Sequence, residues 1–200
     1  MPSTFQYLLA RKIQHTLGGR IAQACKGSLV PEAFLAGLIS VEDARLDIHA
    51  SRFEKGVYEK LKALRNPLVL WKKEWNGIKR SDMKGLSDAA LVNLASSFGY
   101  TQIMGWHTLH DLRCSVADLR NPELHLMIAV NLLHMVASPQ LRGQNFPGVL
   151  RVWNTGSPTG TTFDSQYCSN GIAVMRAYNA LLVSIPPQPT HGAPAQNPTI

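Results

Sequence analysis

The stretch FLAGLISVEDARLD, residues 34–47, places a carboxyl group where an apolar side chain is expected. Phe34, Leu38 and Glu42 are four residues apart, so they share one face of a predicted helix. A glutamate there either reaches water from the edge of the apolar stripe or lies buried against it. Burial and the partial negative charge at a helix C-terminus both raise a carboxyl pKa. The second alternative therefore predicts an acid that is protonated near neutral pH.

A glutamic acid of this kind is the general acid that glycoside cleavage requires, because the leaving sugar oxygen must take up a proton. A second carboxylate would activate water or form a covalent intermediate. The nearest candidates are Asp43, Asp47 and Glu54. Asp47 is five residues after Glu42 and falls on a different helical face, whereas Glu54 begins the next element and can return toward the acid.

The elements that must position this acid are predicted to be mainly helical, with no convincing strand pattern or repeat. Helices are expected over about 5–24, 31–46, 53–64, 89–95 and 164–183, and the segment between two glycines near 99–105 reads as a loop or short strand. A further helix is interrupted at NTGSPTG, residues 154–160. The most apolar helix, which begins at Asn121 and Pro122, is expected to be the buried centre of the bundle.

Length and composition predict one globular domain, residues 1–183, with the helix of residues 1–30 packed on it and a Pro-rich flexible tail over 184–200. Hydrophobic residues make up 45% of the chain and charged residues 16%, which excludes a disordered protein. The three cysteines are far apart and predict buried or half-buried thiols without a disulfide framework. One helical turn contains His107, His110 and Asp111, but no further metal-ligand motif accompanies them. Neither a metal nor another cofactor is therefore expected.

The net charge of +7 indicates an anionic partner, such as nucleic acid, acidic lipid or cell wall. Eight of the twenty Lys and Arg residues lie within residues 60–84, interleaved with Trp71 and Trp75. This basic cluster is either a solvated surface or a binding patch. A non-catalytic helical module that holds cell wall or nucleic acid is therefore the rival, from another functional class, to an enzyme.

Three separated segments resemble one superfamily, the lysozyme-like enzymes of bacteria and phages, which include soluble lytic transglycosylases and phage N-acetylmuramidases. LISVEDARLD is similar to the helix that carries their catalytic glutamate, usually Ile-x-x-Glu-Ser, and SSFGYTQIMG to their Gly-Leu-x-Gln-Ile-Met loop. VLRVWNTGSPTGTTFDSQYCSNGIAVM resembles their Tyr-Asn-x-Gly stretch and the tyrosine-bearing helix that follows it. ASRFEKGVYEKL resembles the Phe-Glu segment of the muramidases. Together the segments span about residues 31–178.

The resemblance implies a mainly α, lysozyme-like fold, in which a helical bundle surrounds a central buried helix beside a glycan-binding cleft. It implies that Glu42 is the general acid for the β-1,4 bond between N-acetylmuramic acid and N-acetylglucosamine in peptidoglycan. Glu54 is the candidate second carboxylate. The expected substrate-binding residues are Phe98, Tyr100, Gln102, Ile103, Met104, Asn154 and Tyr167, with Asn154 and Tyr167 close to Glu42.

Three departures from the family pattern bear on the reaction. Asp43 replaces the usual serine, Thr101 stands where many relatives have methionine, and Trp153 stands in place of tyrosine. In transglycosylases that serine supports the lyase reaction, which forms a 1,6-anhydro product. Its absence, together with the Phe53–Glu54 segment, favours hydrolysis, and the lyase remains the alternative.

The expected partners are peptidoglycan strands and anionic wall polymers, with nucleic acid less favoured and a monomer expected. The N-terminal sequence MPSTFQYLLARKIQHTLGGR shows no Sec signal pattern, and no window of about 18 apolar residues predicts a membrane span. The protein is therefore expected to be made in the cytoplasm and to act on the wall after release, or after delivery by a phage or a secretion system.

Overall fold

The computed structural model describes residues 1–69 and 74–184. This part of the chain is mainly helical, as expected, with two small antiparallel sheets. The helices are α1 (Thr4–Cys25), α2 (Glu32–Glu42), α3 (Lys55–Arg65), α4 (Asp88–Leu94), α5 (Pro122–Arg142), α6 (Phe146–Thr155) and α7 (Tyr167–Ser184). The strands are β1 (Ser51–Phe53), β2 (Glu74–Trp75), β3 (Ile78–Lys79), β4 (Ser96–Phe98) and β5 (Ile103–Met104). Short 3₁₀ turns follow β3 and β5 and precede α5.

The helix that carries the candidate acid ends four residues earlier than the periodicity predicts. α2 stops at Glu42, and the backbone of Asp43 is extended, with φ −147° and ψ 85°. The buried Asp43 carboxylate accepts hydrogen bonds from the backbone N–H of Asp47 at 2.6 Å and of Arg45 at 3.3 Å. These local bonds compete with helical ones and turn the chain away. Glu42 thus occupies the last turn.

The buried centre of the structure is α2, and the prediction that α5 would hold this place is wrong. All seven residues from Ala33 to Ile39 are buried, between α1 and α7. α5 buries eight side chains but exposes Met127 and Met135. α2 and α7 meet at two glycines, since a Cβ on Gly37 would lie 2.5 Å from the carbonyl oxygen of Gly171. Only glycine permits this close approach.

The three-stranded sheet, in the order β1–β4–β5, was not predicted beyond the loop or short strand expected near 99–105, because its strands have only two or three residues and show no alternation. Its register pairs Arg52 with Ser97 and Ser97 with Met104, so these side chains share one face. On the opposite face, Phe98 and Ile103 are buried in the core. β1 thus places Arg52, and Glu54 two residues later, on the face of the sheet that carries Ser97 and Met104.

The turn between β4 and β5 is held by a buried histidine of α5. His125 donates from Nδ1 to the Leu119 carbonyl at 2.7 Å, while its Nε2 accepts from Thr101 N–H at 3.1 Å and faces Thr101 Oγ1 at 2.9 Å. Burial lowers the pKa of His125 to about 4. The neutral ring is therefore the form that suits these bonds. Gly99, at φ +68°, has no space for a Cβ beside this ring.

Four further expectations concern the rest of the chain. Among the described residues, only α5 is long and apolar enough to cross a membrane, and its buried residues are typical of a core helix. The three cysteines are free, Cys25 being buried and the other two half-buried. In the described ranges no cluster of His, Cys, Asp and Glu could hold a metal ion. Apart from Ser184, which ends α7, the predicted tail lies outside the described residues.

Candidate active site

The Glu42 side chain lines an open pocket of about 490 Å³ at the end of α2. The pocket is lined by side chains from four parts of the chain: the end of α2, β1 with the residue that follows it, the end of α6, and the start of α7 with the loop before it. Its lining comprises Val41, Glu42, Arg52, Glu54, Asn154, Phe163, Asp164 and Tyr167. Four of the residues singled out from the sequence, Glu42, Glu54, Asn154 and Tyr167, thus line one cavity.

Burial raises the pKa of Glu42 to about 7, although the hydrogen bond from Tyr167 and the positive charge of Arg52 both lower it. Desolvation dominates because Glu42 ends α2, whose residues 33–39 are all buried, and its carboxyl is itself largely withdrawn from water. Glu42 therefore changes protonation near neutral pH. Such a group can give a proton to a bound molecule and take one back at the same pH.

Tyr167 holds the Glu42 carboxyl in place. This tyrosine is 6% exposed and begins α7, and its hydroxyl donates a hydrogen bond to Glu42 Oε1. Burial and the neighbouring carboxylate raise the pKa of Tyr167 well above its ordinary value, so it remains a donor. The bond orients one carboxyl oxygen and leaves the other for a ligand. A tyrosine in this role was expected from the sequence resemblance.

Arg52 is a member of the site that the sequence did not reveal. Its Nε donates to Glu54 Oε1 at 2.6 Å, and both side chains line the pocket beside Glu42. The backbone N–H of Glu54 is anchored to the Ala95 carbonyl at 2.8 Å. The ion pair holds the Glu54 carboxyl at the pocket. A signal for Arg52 would have required recognising β1, which has three residues.

Replacing Arg52 by glutamine is expected to raise the pKa of Glu42 above about 7, because the variant loses the positive charge that favours the Glu42 carboxylate. The exposed position of Arg52 limits the shift to between a few tenths and one pH unit. A carbon-detected NMR titration of the Glu42 carboxyl measures it. Arg20→Gln is the matched control, since Arg20 Nε holds Glu123 at 2.7 Å elsewhere. An unchanged pKa in Arg52→Gln would contradict the role of Arg52.

The predicted sugar-binding loop is arranged differently from the expectation. Phe98, Tyr100 and Ile103 are at most 5% exposed and belong to the hydrophobic core, so their side chains offer no surface to a sugar. Gln102 uses both ends of its amide internally, donating to the Gly99 carbonyl at 2.9 Å and accepting from Ser97 Oγ at 2.7 Å. Met104 is half-buried on the sheet face of Arg52. Aromatic residues in this segment build the core, where large rings bury the most area.

Phe163 and Asp164 also line the pocket and were not singled out from the sequence. Phe163 is fully exposed in the loop between α6 and α7, at the edge of the cavity that contains Glu42. An exposed ring beside a polar cavity offers a flat apolar surface to a ligand. The isolated aromatic residue in the polar stretch TGTTFDSQ was the available signal.

Comparison of the chain with protein-family models, with curated proteins and with solved structures finds no match.

Proposed function

We propose that the protein is a peptidoglycan-cleaving glycosidase with a lysozyme-like fold, in which the Glu42 pocket is part of a glycan-binding cleft. The bond cut is the β-1,4 bond between N-acetylmuramic acid and N-acetylglucosamine. The observation that carries the proposal is a half-buried carboxylic acid with a pKa of about 7, in an open pocket that also contains Glu54, which is paired with Arg52. A neutral acid and a charged carboxylate on one cavity form the pair that glycoside hydrolysis uses.

In this mechanism Glu42 transfers its proton to the oxygen that links the two sugars, and the bond from that oxygen to the anomeric carbon breaks. Positive charge develops on the anomeric carbon and is stabilised by the Glu54 carboxylate. The Glu42 carboxylate that remains is stabilised by the Tyr167 hydroxyl and by Arg52. Water then adds to the anomeric carbon, and its proton returns to Glu42, which restores the starting state.

The lyase is the second candidate on the same bond, with the muramic 6-hydroxyl in place of water. The arrangement favours hydrolysis for two reasons. Glu54 faces the pocket, as a second carboxylate in a hydrolase would. The Asp43 carboxylate is occupied by backbone N–H groups of the following turn, so it does not replace the serine of the transglycosylases. Mass analysis of the released sugars separates the two, because only the lyase leaves 1,6-anhydromuramic ends.

The experiment that tests the proposal is release of soluble fragments from dye-labelled, purified peptidoglycan. The rival, a non-catalytic basic module, is tested in the same assay by neutralising exposed lysines of the basic cluster, namely Lys60, Lys62, Lys79 and Lys84. Fragment release that persists in this variant supports the enzyme. A parent protein that releases nothing, and binds DNA in a salt-sensitive manner, would establish the module instead.

Fragment release is expected to fall as ionic strength rises, because the net charge of +7 attracts the anionic wall and salt screens this attraction. Between about 0.01 and 0.15 M salt, the Debye length falls from about 30 to about 8 Å. We expect the KM for insoluble peptidoglycan to rise severalfold over this range, while cleavage of a short neutral glycan changes little. A flat response with both substrates would contradict a role of the basic surface.

A further inference from the structure

A second compartment of about 370 Å³ adjoins the Glu42 pocket. Val41 and Asp164 line both cavities, so the compartment begins where the pocket with the acid ends. It lies between the first turn of α1, the last turn of α2 and the beginning of α7. None of the residues that line only this compartment was assigned a part in glycoside cleavage. The proposed cleavage therefore leaves this cavity without a role.

The lining of this compartment combines two amides, two hydroxyls, one exposed ring, one carboxylate and several aliphatic side chains. Gln6 Nε2 donates to Asn170 Oδ1 at 3.2 Å, which joins α1 to α7, and Ser40 Oγ donates to the Gly37 carbonyl at 2.6 Å. Phe5 is 71% exposed at the edge. Asp164 supplies the one charge of this lining, which is negative although the chain as a whole carries +7. The compartment therefore suits a ligand that offers amides and a positive charge.

We propose that this compartment binds the stem peptide attached to the lactyl group of N-acetylmuramic acid. The inference rests on the proposed function, since a muramic residue beside Glu42 must direct its peptide out of the pocket, and the adjoining compartment receives it. Asn170 and Ser40 offer hydrogen bonds to peptide groups, and Phe5 covers aliphatic side-chain carbons. The Asp164 carboxylate pairs with the free side-chain amine of a diamino acid in an uncross-linked stem.

The site predicts that the enzyme distinguishes peptide-bearing glycan from bare glycan. The test compares purified peptidoglycan with the same material after an amidase has removed its peptides. The double variant Phe5→Ala/Asn170→Ala is expected to lose about tenfold in kcat/KM on the peptide-bearing glycan and little on the bare glycan. Leu8→Ala is the matched control, because Leu8 is 56% exposed on the same helix and does not line the compartment. Equal losses on both substrates would overturn the proposal in favour of a sugar subsite. No loss on either substrate would overturn it too, because the compartment would then contact no part of the substrate.

Binding of a soluble stem peptide tests the site without any cleavage. In NMR spectra of the parent protein, a tripeptide ending in a diamino acid is expected to shift the backbone amides of Ser40 and Asn170. The same peptide with its side-chain amine acetylated is expected to bind several times more weakly, because it cannot pair with Asp164. If the protein cleaves no glycan but shows these shifts, the proposed function fails and the peptide site stands. If it cleaves glycan without these shifts, the peptide site fails alone.

Discussion

Glu42→Gln is expected to reduce fragment release from peptidoglycan by about 10²–10⁴-fold, the usual contribution of a general acid. Glutamine keeps the shape and the hydrogen-bond acceptor for Tyr167 but has no proton to transfer to a leaving oxygen. Because Glu42 loses its proton, and with it the acid form, as pH rises through its pKa of about 7, parent activity should decline over the same range. Turnover of purified, dye-labelled peptidoglycan across pH 5–9 measures both effects.

The control for this prediction is the stability of the Glu42→Gln variant, because a variant that unfolds would also lose activity. The pKa of Glu42 is raised on folding, so the native chain binds more protons than the unfolded one between the ordinary value, 4.5, and about 7. Stability of the parent therefore falls as pH rises through this range, and the neutral glutamine removes that loss. The variant should melt at least as high as the parent at pH 8. Parent-level cleavage in a well-folded variant would show that Glu42 is not the acid.

His125→Ala is expected to lower the free energy of unfolding at pH 7 by about 3 kcal/mol. The change creates a cavity and leaves the Leu119 carbonyl and the Thr101 N–H without their buried partner. Without these hydrogen bonds the turn between β4 and β5 is no longer held in place, and β4 pairs with β1, the strand that carries Arg52. Urea unfolding followed by circular dichroism measures the loss of stability. His134→Ala, a half-buried position on the same helix, is the control with a smaller effect.

The difference in free energy of unfolding between the parent and His125→Ala should become smaller at acid pH. The pKa of His125 is lowered from its ordinary 6.5 to about 4 on folding, so the unfolded chain binds the proton more readily. The parent therefore loses stability as pH falls from about 6.5 toward 4, by about 1.4 kcal/mol for each unit of the difference, and the variant lacks this loss. A stability difference that stays constant between pH 7 and pH 4.5 would contradict a neutral, buried His125.

The sequence predicted the helices that have caps and long periodicity, and it singled out Glu42 through its place on an apolar face. It did not predict that α2 would be the buried centre: α2 is strongly apolar but has 11 residues against the 21 of α5, and its burial depends on how α1 and α7 pack around it. Arg52 was missed for a similar reason: a strand of three residues has no period, and its face is set by pairing with Ser97. Phe98 and Ile103 were predicted to bind substrate, and the sequence alone did not separate that role from burial in the core, because an aromatic loop and a core strand have the same composition.

The bond between Glu42 and Tyr167 joins residues 125 positions apart, and this separation has a consequence for the order of folding. Contacts between distant residues form late, because the intervening chain must first be ordered. A chain that has been synthesised only as far as α5 contains Glu42 but lacks the tyrosine that positions it and the glycine that meets Gly37. The complete site therefore exists only after α7 has docked, so partly made chains of this protein lack the oriented acid.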